Sequence, residues 1–184
     1  MVLVWVLVGA AAVLLLASVW LFNRLVRLRN EVETGWANID VQLKRRNDLI
    51  PNLVEAVKGY AAHERGVFEA VTEARAAVAR AGSPGAAGAA DAMLGQALGR
   101  LLAVAEAYPE LQASRNFSEL QAELTDTEDK IAAARRYYNA TVLAYNTAVQ
   151  TFPSLVVARS FGFREREFFA ADADERGVVP VAFG

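Results

Sequence analysis

Gly35 to Val57 reads GWANIDVQLKRRNDLIPNLVEAV, and the spacing of its apolar residues decides the fold. Ile39, Leu43, Ile50, Leu53 and Val57 fall three, four or seven residues apart, which places them on one stripe of an α-helix. Towards the N-terminus the same alternation takes in Leu25, Leu28, Val32 and Gly35/Trp36. Towards the C-terminus it takes in Tyr60, Glu64, Val67, Val71, Ala74 and Val78. Only Gly35, Arg46 and Glu64 break its apolar character. A seam this regular predicts one long helix with coiled-coil-like packing. Drawn straight from Arg24 to Arg80, it would be about 85 Å long. Pro51 lies inside it, but Ile50, Leu53 and Val57 keep their phase across the proline. The expectation is therefore a kink, or a stop and immediate restart with Asp48 as a cap, without a change of direction.

Upstream, Val2 to Phe22 is a run without charge, interrupted only by Gly9 and Ser18. At 1.5 Å per residue it spans about 30 Å, the thickness of a bilayer core. Trp5 and Trp20 lie near its ends, where indole rings favour the headgroup region. A membrane anchor over residues 1–23 is expected. The rival reading, a cleaved signal peptide, fits less well. No basic residue precedes the run, and Ala17-Ser18-Val19 is a poor cleavage site. No Lys or Arg precedes the anchor, whereas Arg24, Arg27 and Arg29 follow it, within reach of anionic headgroups. The positive-inside rule then predicts a single pass, with the N-terminus outside and the C-terminal body in the cytoplasm.

Downstream, residues 81–90 read AGSPGAAGAA and are expected to form a flexible loop. A second helix is predicted over Ala90–Ala107, ended by Tyr108-Pro109. Asn116, or Ser118, then offers a cap for a third long helix. Its seam runs Phe117, Leu120, Leu124, Thr127, Ile131, Ala134, Tyr138, Thr141/Val142, Tyr145, Val149 and Phe152, with Pro153 as its stop. A short helix over Ser154–Ser160 follows. Val178 to Phe183 looks strand-like but has no partner, so residues 164–184 are read as a tail, extended there and mobile over Asp172–Gly177. The expected fold is all-α: the anchor, an antiparallel up-and-down bundle of long helices over residues 24–163, and the tail.

Composition limits the chemistry. Of 184 residues, 36 are Ala and none is Cys, which excludes thiol nucleophiles, disulfides, Cys-ligated metals and an acylated-Cys anchor. The single histidine, His63, excludes a two-His metal site, and His63-Glu64 is not completed to HExxH. ExxH pairs for a di-iron bundle and a GxSxG elbow are both missing. The pairs Glu31/Glu33, Glu128/Asp129 and Glu165/Glu167 are one or two residues apart, so on helices they diverge and read as solvated faces. The net charge of −2 argues against nucleic acid. Tyr137, Tyr138 and Tyr145 beside Arg135 and Arg136 read better as core than as a base-stacking surface. Two glycosylation triplets, at Asn116 and Asn139, carry no weight for a cytoplasmic body. Lys44, Arg45 and Arg46, with Asp48 and Glu55 near them, form the densest charged cluster. It is a candidate surface for an anionic partner, lipid headgroup or acidic protein, although a set of intrahelical pairs such as Asp40–Lys44 is the better reading.

Trp36 to Val54, Tyr60-Ala61-Ala62-His63-Glu64, Glu106 to Leu111 and Leu120 to Leu124 resemble the signature of the LemA family. So do Tyr137-Tyr138-Asn139 to Tyr145-Asn146, Phe152-Pro153 and Phe161-Gly162-Phe163. The resemblance covers nearly the whole chain from about Asn23. It implies a membrane-anchored bacterial protein with a four-helix-like body, no enzymatic activity and no cofactor. Relatives in this family include a magnetosome-formation protein and neighbours of membrane proteases. Some members carry a lipoprotein signal, which a chain without Cys cannot use.

The functional expectation is a non-enzymatic scaffold that sits in the lipid bilayer and self-assembles as a homo-oligomer. The alternative is an adaptor that recruits or stabilises another membrane protein, such as a protease. Neither reading requires a small-molecule substrate, a nucleic acid or a cofactor.

Overall fold

The computed structural model describes residues 1–169. It holds six helices: α1 (Val2–Lys58), α2 (Arg65–Arg80), α3 (Pro84–Glu106), α4 (Pro109–Gln112), α5 (Arg115–Gln150) and α6 (Ser154–Ser160). Among the described residues there is no strand. The all-α expectation therefore holds. The strand-like look of Val178–Phe183 and the mobility expected of Asp172–Gly177 lie outside the described residues. Two compact units emerge. One joins Met1–Ala37 to Arg136–Arg166, and the other joins Asn38–Arg135 to the described residues from Glu167 onward.

In the second unit the seam of α1 is buried at Ile39, Leu43, Arg46, Ile50, Leu53 and Val57. The helix does not run on to Arg80. It ends at Lys58, and the turn that follows is held by Val57 O, which accepts from Tyr60 N at 3.0 Å and Ala61 N at 2.9 Å. Tyr60 and Glu64, expected on the seam, are exposed, and Ala61 takes the buried place instead. His63 is exposed in this turn. Helix α2 folds back beside α1 and buries Phe68, Val71 and Ala74. Arg75 Nε reaches Asn47 O at 3.0 Å, whereas residues 28 apart on one continuous helix would lie about 42 Å from each other.

Pro51 neither stops nor restarts α1, and that contact serves the carbonyl it leaves without a donor. Proline has no N–H to donate to the carbonyl four residues back, here Asn47. Arg75 supplies the missing donor from α2, and its Nε also lies 3.2 Å from Asn47 Oδ1. Replacing Arg75 with Leu is expected to cost about 0.5–1.5 kcal/mol, the net worth of a half-buried hydrogen bond. In a Pro51→Ala background, where residue 51 can donate, the same replacement should cost much less. Urea denaturation of the four proteins gives the coupling energy, and strict additivity would refute the link.

Helix α3 begins earlier than the loop expected over residues 81–90. Ser83 caps it, its hydroxyl accepting from Ala86 N at 3.2 Å, and Pro84 is its first residue. Serine at the cap followed by proline is a strong start signal, and the alanines then propagate the helix. Only Ala81 to Ser83 remain as a loop. Helix α3 packs on α2 and buries Ala87, Ala90, Asp91, Leu94, Ala97, Leu98, Leu101 and Ala105. Asn116 is not the cap of α5, because that helix starts at Arg115. Leu111, Phe117 and Leu124 complete the apolar core of this unit. Each fully buried Leu, Ile or Phe in it contributes about 1.5–3 kcal/mol.

In the first unit the anchor part of α1 is bare: every residue from Met1 to Trp20 is exposed. Burial begins at Leu21 and Leu25. Helix α5 buries Tyr138, Thr141, Val142, Tyr145, Asn146, Ala148 and Val149 in this unit. Phe152, expected on that seam, is 82% exposed instead, because α5 has already ended at Gln150. Helix α6 follows where expected and buries Ser154, Val157 and Ala158. The chain beyond it does not hang free. Asn146 Nδ2 donates to Arg166 O at 2.9 Å, and Arg166 N donates to Asn146 Oδ1 at 2.8 Å. Arg166 also reaches Glu33 at 3.2 Å.

Gly35 on α1 packs close against α5. A Cβ there would lie 3.3 Å from Tyr138 Cα and 3.4 Å from Thr141 Oγ1. Gly35→Ala sets the gain of about 1 kcal/mol in helix propensity against that crowding, so its net effect should be small. Gly35→Leu forces several more carbons between two backbones and is expected to cost about 1–3 kcal/mol. Thermal unfolding followed by circular dichroism distinguishes the two variants. Equal midpoints would show that the approach is not tight.

Candidate functional site

Arg46 interrupts an otherwise apolar seam, and the structure shows what it does there. It is 1% exposed, the largest fully buried side chain among the described residues. Helix α1 points it at two carboxylates on different helices. Its Nη1 donates to Glu128 Oε1 on α5 at 2.8 Å, and its Nη2 bonds Asp91 Oδ1 on α3. One planar guanidinium therefore ties three helices together, a task suited to its fork of donors. Its Nε finds no acceptor among the described residues.

Each carboxylate stands where local sequence puts it. Asp91 lies on the buried stripe of α3, between Ala87 and Leu94, at helical spacing. Glu128 follows the fully buried Thr127 and is half-exposed. Together they line an open cleft of about 710 Å3, whose wall also includes Asp129 and Arg135. Burial raises the Asp91 carboxyl above its ordinary value. The neighbouring Glu128 pushes the same way, and Arg46 opposes them through its charge and hydrogen bond.

The folded state therefore holds the Asp91 proton more tightly than the unfolded chain does. The stability linked to that proton is fully present below the ordinary carboxylate pKa of about 4, and it is lost as pH rises through the raised folded value. Relative to Asp91→Asn, which does not titrate, the native protein should lose stability as pH rises from about 4 towards neutrality. Chemical denaturation of both proteins at a series of pH values measures this difference. A difference that grows with pH in the native protein's favour would mean that attraction to Arg46 outweighs burial.

The remaining charged candidates behave differently. Lys44 forms an exposed pair with Asp40 at 2.6 Å. Arg45 lies 3.5 Å from Asp126 and 3.8 Å from Glu123 on α5. Lys130 bonds Asp126 on the same helix and, with Arg45, lowers the pKa of that carboxyl. Glu55 pairs with Lys58 at 3.4 Å, and Asp48 is exposed. Lys44, Arg45 and Arg46 thus do not form one surface: Arg46 is interior, which removes it from any docking face. At the anchor, Trp5 and Trp20 are exposed. Arg24 lies over the Trp20 ring at 5.7 Å, and Arg29 over the Phe163 ring at 5.6 Å. Arg27 is exposed.

Sequence reasoning passed over Asp91 and read Glu128 as a solvated face. The available signal was a lone carboxylate on the apolar stripe of one helix and a lone arginine on that of another. Among the described residues no group of three His, Asp or Glu side chains could hold a metal ion.

The LemA family's sequence model matches residues 35–183, which takes in Gly35, Arg46, Asp91, Glu128 and Asn146. The chain belongs to the LemA family. Within the wider set of LemA-like sequences it is similar to the magnetosome protein MamQ of Magnetospirillum gryphiswaldense, with 29% identity over 174 aligned residues covering 80% of this chain. Magnetosome protein MamQ 1 of Paramagnetospirillum magneticum matches to the same degree. The match spans 64% of the length of these MamQ relatives. Protein LemA of Metamycoplasma hominis is 25% identical over 161 residues, 87% of this chain and 74% of that one. Family membership and the apolar, unburied N-terminal part of α1 together describe a membrane-associated helical protein.

Proposed function

We propose that this LemA-family protein is a single-pass, non-enzymatic scaffold whose helical body assembles with copies of itself at the membrane surface. One observation carries the reading. Helix α1 runs unbroken from Val2 to Lys58, so the anchor and the first helix of the body are one covalent element. Confining the body to a membrane plane raises its effective concentration towards other copies. Exposed Val41 on α1, Met93 on α3 and Leu143 on α5 give that body apolar points of contact. The magnetosome association in the name of the MamQ relatives fits a membrane-bound assembly. The charge flanks of the anchor favour a cytoplasmic body. The adaptor reading loses one of its residues, because Arg46 is buried and Arg45 already faces two carboxylates of its own chain.

Cross-linking in native membranes, followed by mass measurement of the gently extracted particle, tests the proposal. A regular ladder of multiples of this chain is expected. A monomer over a wide concentration range would overturn self-assembly. A particle of constant mass containing a second membrane protein would favour the adaptor.

A further inference from the structure

We infer that the segment around α6 is a second membrane contact, seated in the interfacial layer beside the anchor, with Phe152, Val156 and Phe161 facing lipid. This rests on the reading that residues 2–22 span the bilayer.

Three observations place the segment at that level. First, protein cover of α1 begins inside the apolar run. Residues up to Trp20 are bare, whereas Leu21 is only 9% exposed. Whatever covers Leu21 must itself lie at the membrane edge. Second, the region after α6 packs against the end of the apolar run. The Phe161 ring meets the Phe22 ring edge-on at 4.9 Å, and Phe163 meets it at 5.6 Å. Phe22 is the last residue of the apolar run. Third, the register of α1 and α5 agrees. Gly35 faces Tyr138, whereas Phe22, further back on α1, meets Phe161 and Phe163, further on in the chain, so the two helices are antiparallel. At equal rise per residue, Gln150, the last residue of α5, comes level with about Asn23, which leaves Phe152, two residues further on, beside the end of the apolar run.

The exposed side chains suit that depth. Phe152 is 82% exposed, Phe161 64% and Val156 57%, while Val157 and Ala158 face inward. Arg159 is exposed on the same short helix, and Arg24 and Arg27 are exposed on α1. Apolar groups mixed with cations are what the headgroup boundary accepts, with arginines reaching up to anionic phosphates. Two phenylalanines and a valine this exposed within ten residues suit a lipid boundary better than water.

The absence of Cys allows a clean test. The full chain is reconstituted in vesicles of phosphatidylcholine and phosphatidylglycerol, with one nitroxide label per variant. Labels are placed at Phe152→Cys, Val156→Cys, Leu14→Cys in the anchor and Tyr137→Cys in the body. Collision with oxygen, which partitions into lipid, is compared with collision with a water-soluble nickel chelate. At 152 and 156 the oxygen-to-nickel ratio should lie severalfold above that at 137 and below that at 14. A ratio at 152 and 156 equal to that at 137, with 14 still lipid-exposed, would overturn the inference and leave the anchor intact. Strong spin–spin broadening at 152, with poor access for both agents, would assign the face to a second copy and also overturn it. A water-like ratio at 14 would overturn the spanning reading and this inference with it.

Discussion

Arg46→Met is expected to destabilise the folded body by about 3–5 kcal/mol, a large share of the roughly 5–15 kcal/mol that holds a typical domain together. Hydrophobic area lost is not the cause, since Met fills much of the same space. The loss comes from what stays behind: Asp91, almost fully buried, keeps its carboxylate without the guanidinium that faces it. Glu128 suffers less, because its side chain is 42% exposed and water can solvate it. Removing both buried members should therefore restore much of the loss, and Arg46→Met/Asp91→Leu is expected to approach the stability of the native protein. Buried ion pairs replaced whole by apolar side chains are often neutral or better. Denaturant titration of the two single variants and the double variant gives the coupling energy. A double variant as unstable as the sum of the singles would show that Arg46 and Asp91 act independently.

The anchor gives the largest expected effect. Thirteen of the residues from Val2 to Phe22 are Val, Leu or Phe, which together favour insertion by about 4–8 kcal/mol. An arginine at the centre of a membrane helix costs about 2.5–3.5 kcal/mol. Leu14→Arg/Leu15→Arg places two there and also removes two favourable leucines, so the sum cancels most or all of the driving force. Membrane retention through alkaline extraction should be lost or sharply reduced. A control with arginine at two exposed positions of α5, Ala133 and Leu143, should stay in the membrane fraction. Full retention of the anchor variant would mean that something other than residues 2–22 holds the protein there.

Much of the structure was legible beforehand because helical periodicity is a local property. The seams of α1 and α5 could be read from apolar spacing, and Leu25, Val32, Ile39, Leu43, Ile50, Leu53, Val57, Tyr138, Val142 and Tyr145 are all buried. The end of α1 was not legible. Residues on both sides of the turn fit one alternation of threes and fours, and Gly59, the only local breaker, costs a helix just about 1 kcal/mol relative to Ala. What ends α1 is the burial that α2 gains by folding back, a gain no local window contains. The start of α3 was legible but misread, because glycines outweighed the Ser83-Pro84 start signal.

The charged residues divide in the same way. Pairs within one helix, Asp40 with Lys44 above all, follow from spacing alone. Gly35 and Arg46 stood out as breaks in the seam, but their reasons lie on distant segments: Tyr138 for one, Asp91 and Glu128 for the other.

By itself, then, the sequence determined the helical class, the apolar anchor and the stripe each long helix buries, since these depend on residues a few positions apart. Only the tertiary structure decided where α1 turns back, which carboxylates meet Arg46, how Arg75 serves the carbonyl that Pro51 leaves free, and that Asn146 holds Arg166. Each of these joins residues far apart in the chain, and their value depends on burial that exists only once the helices have packed.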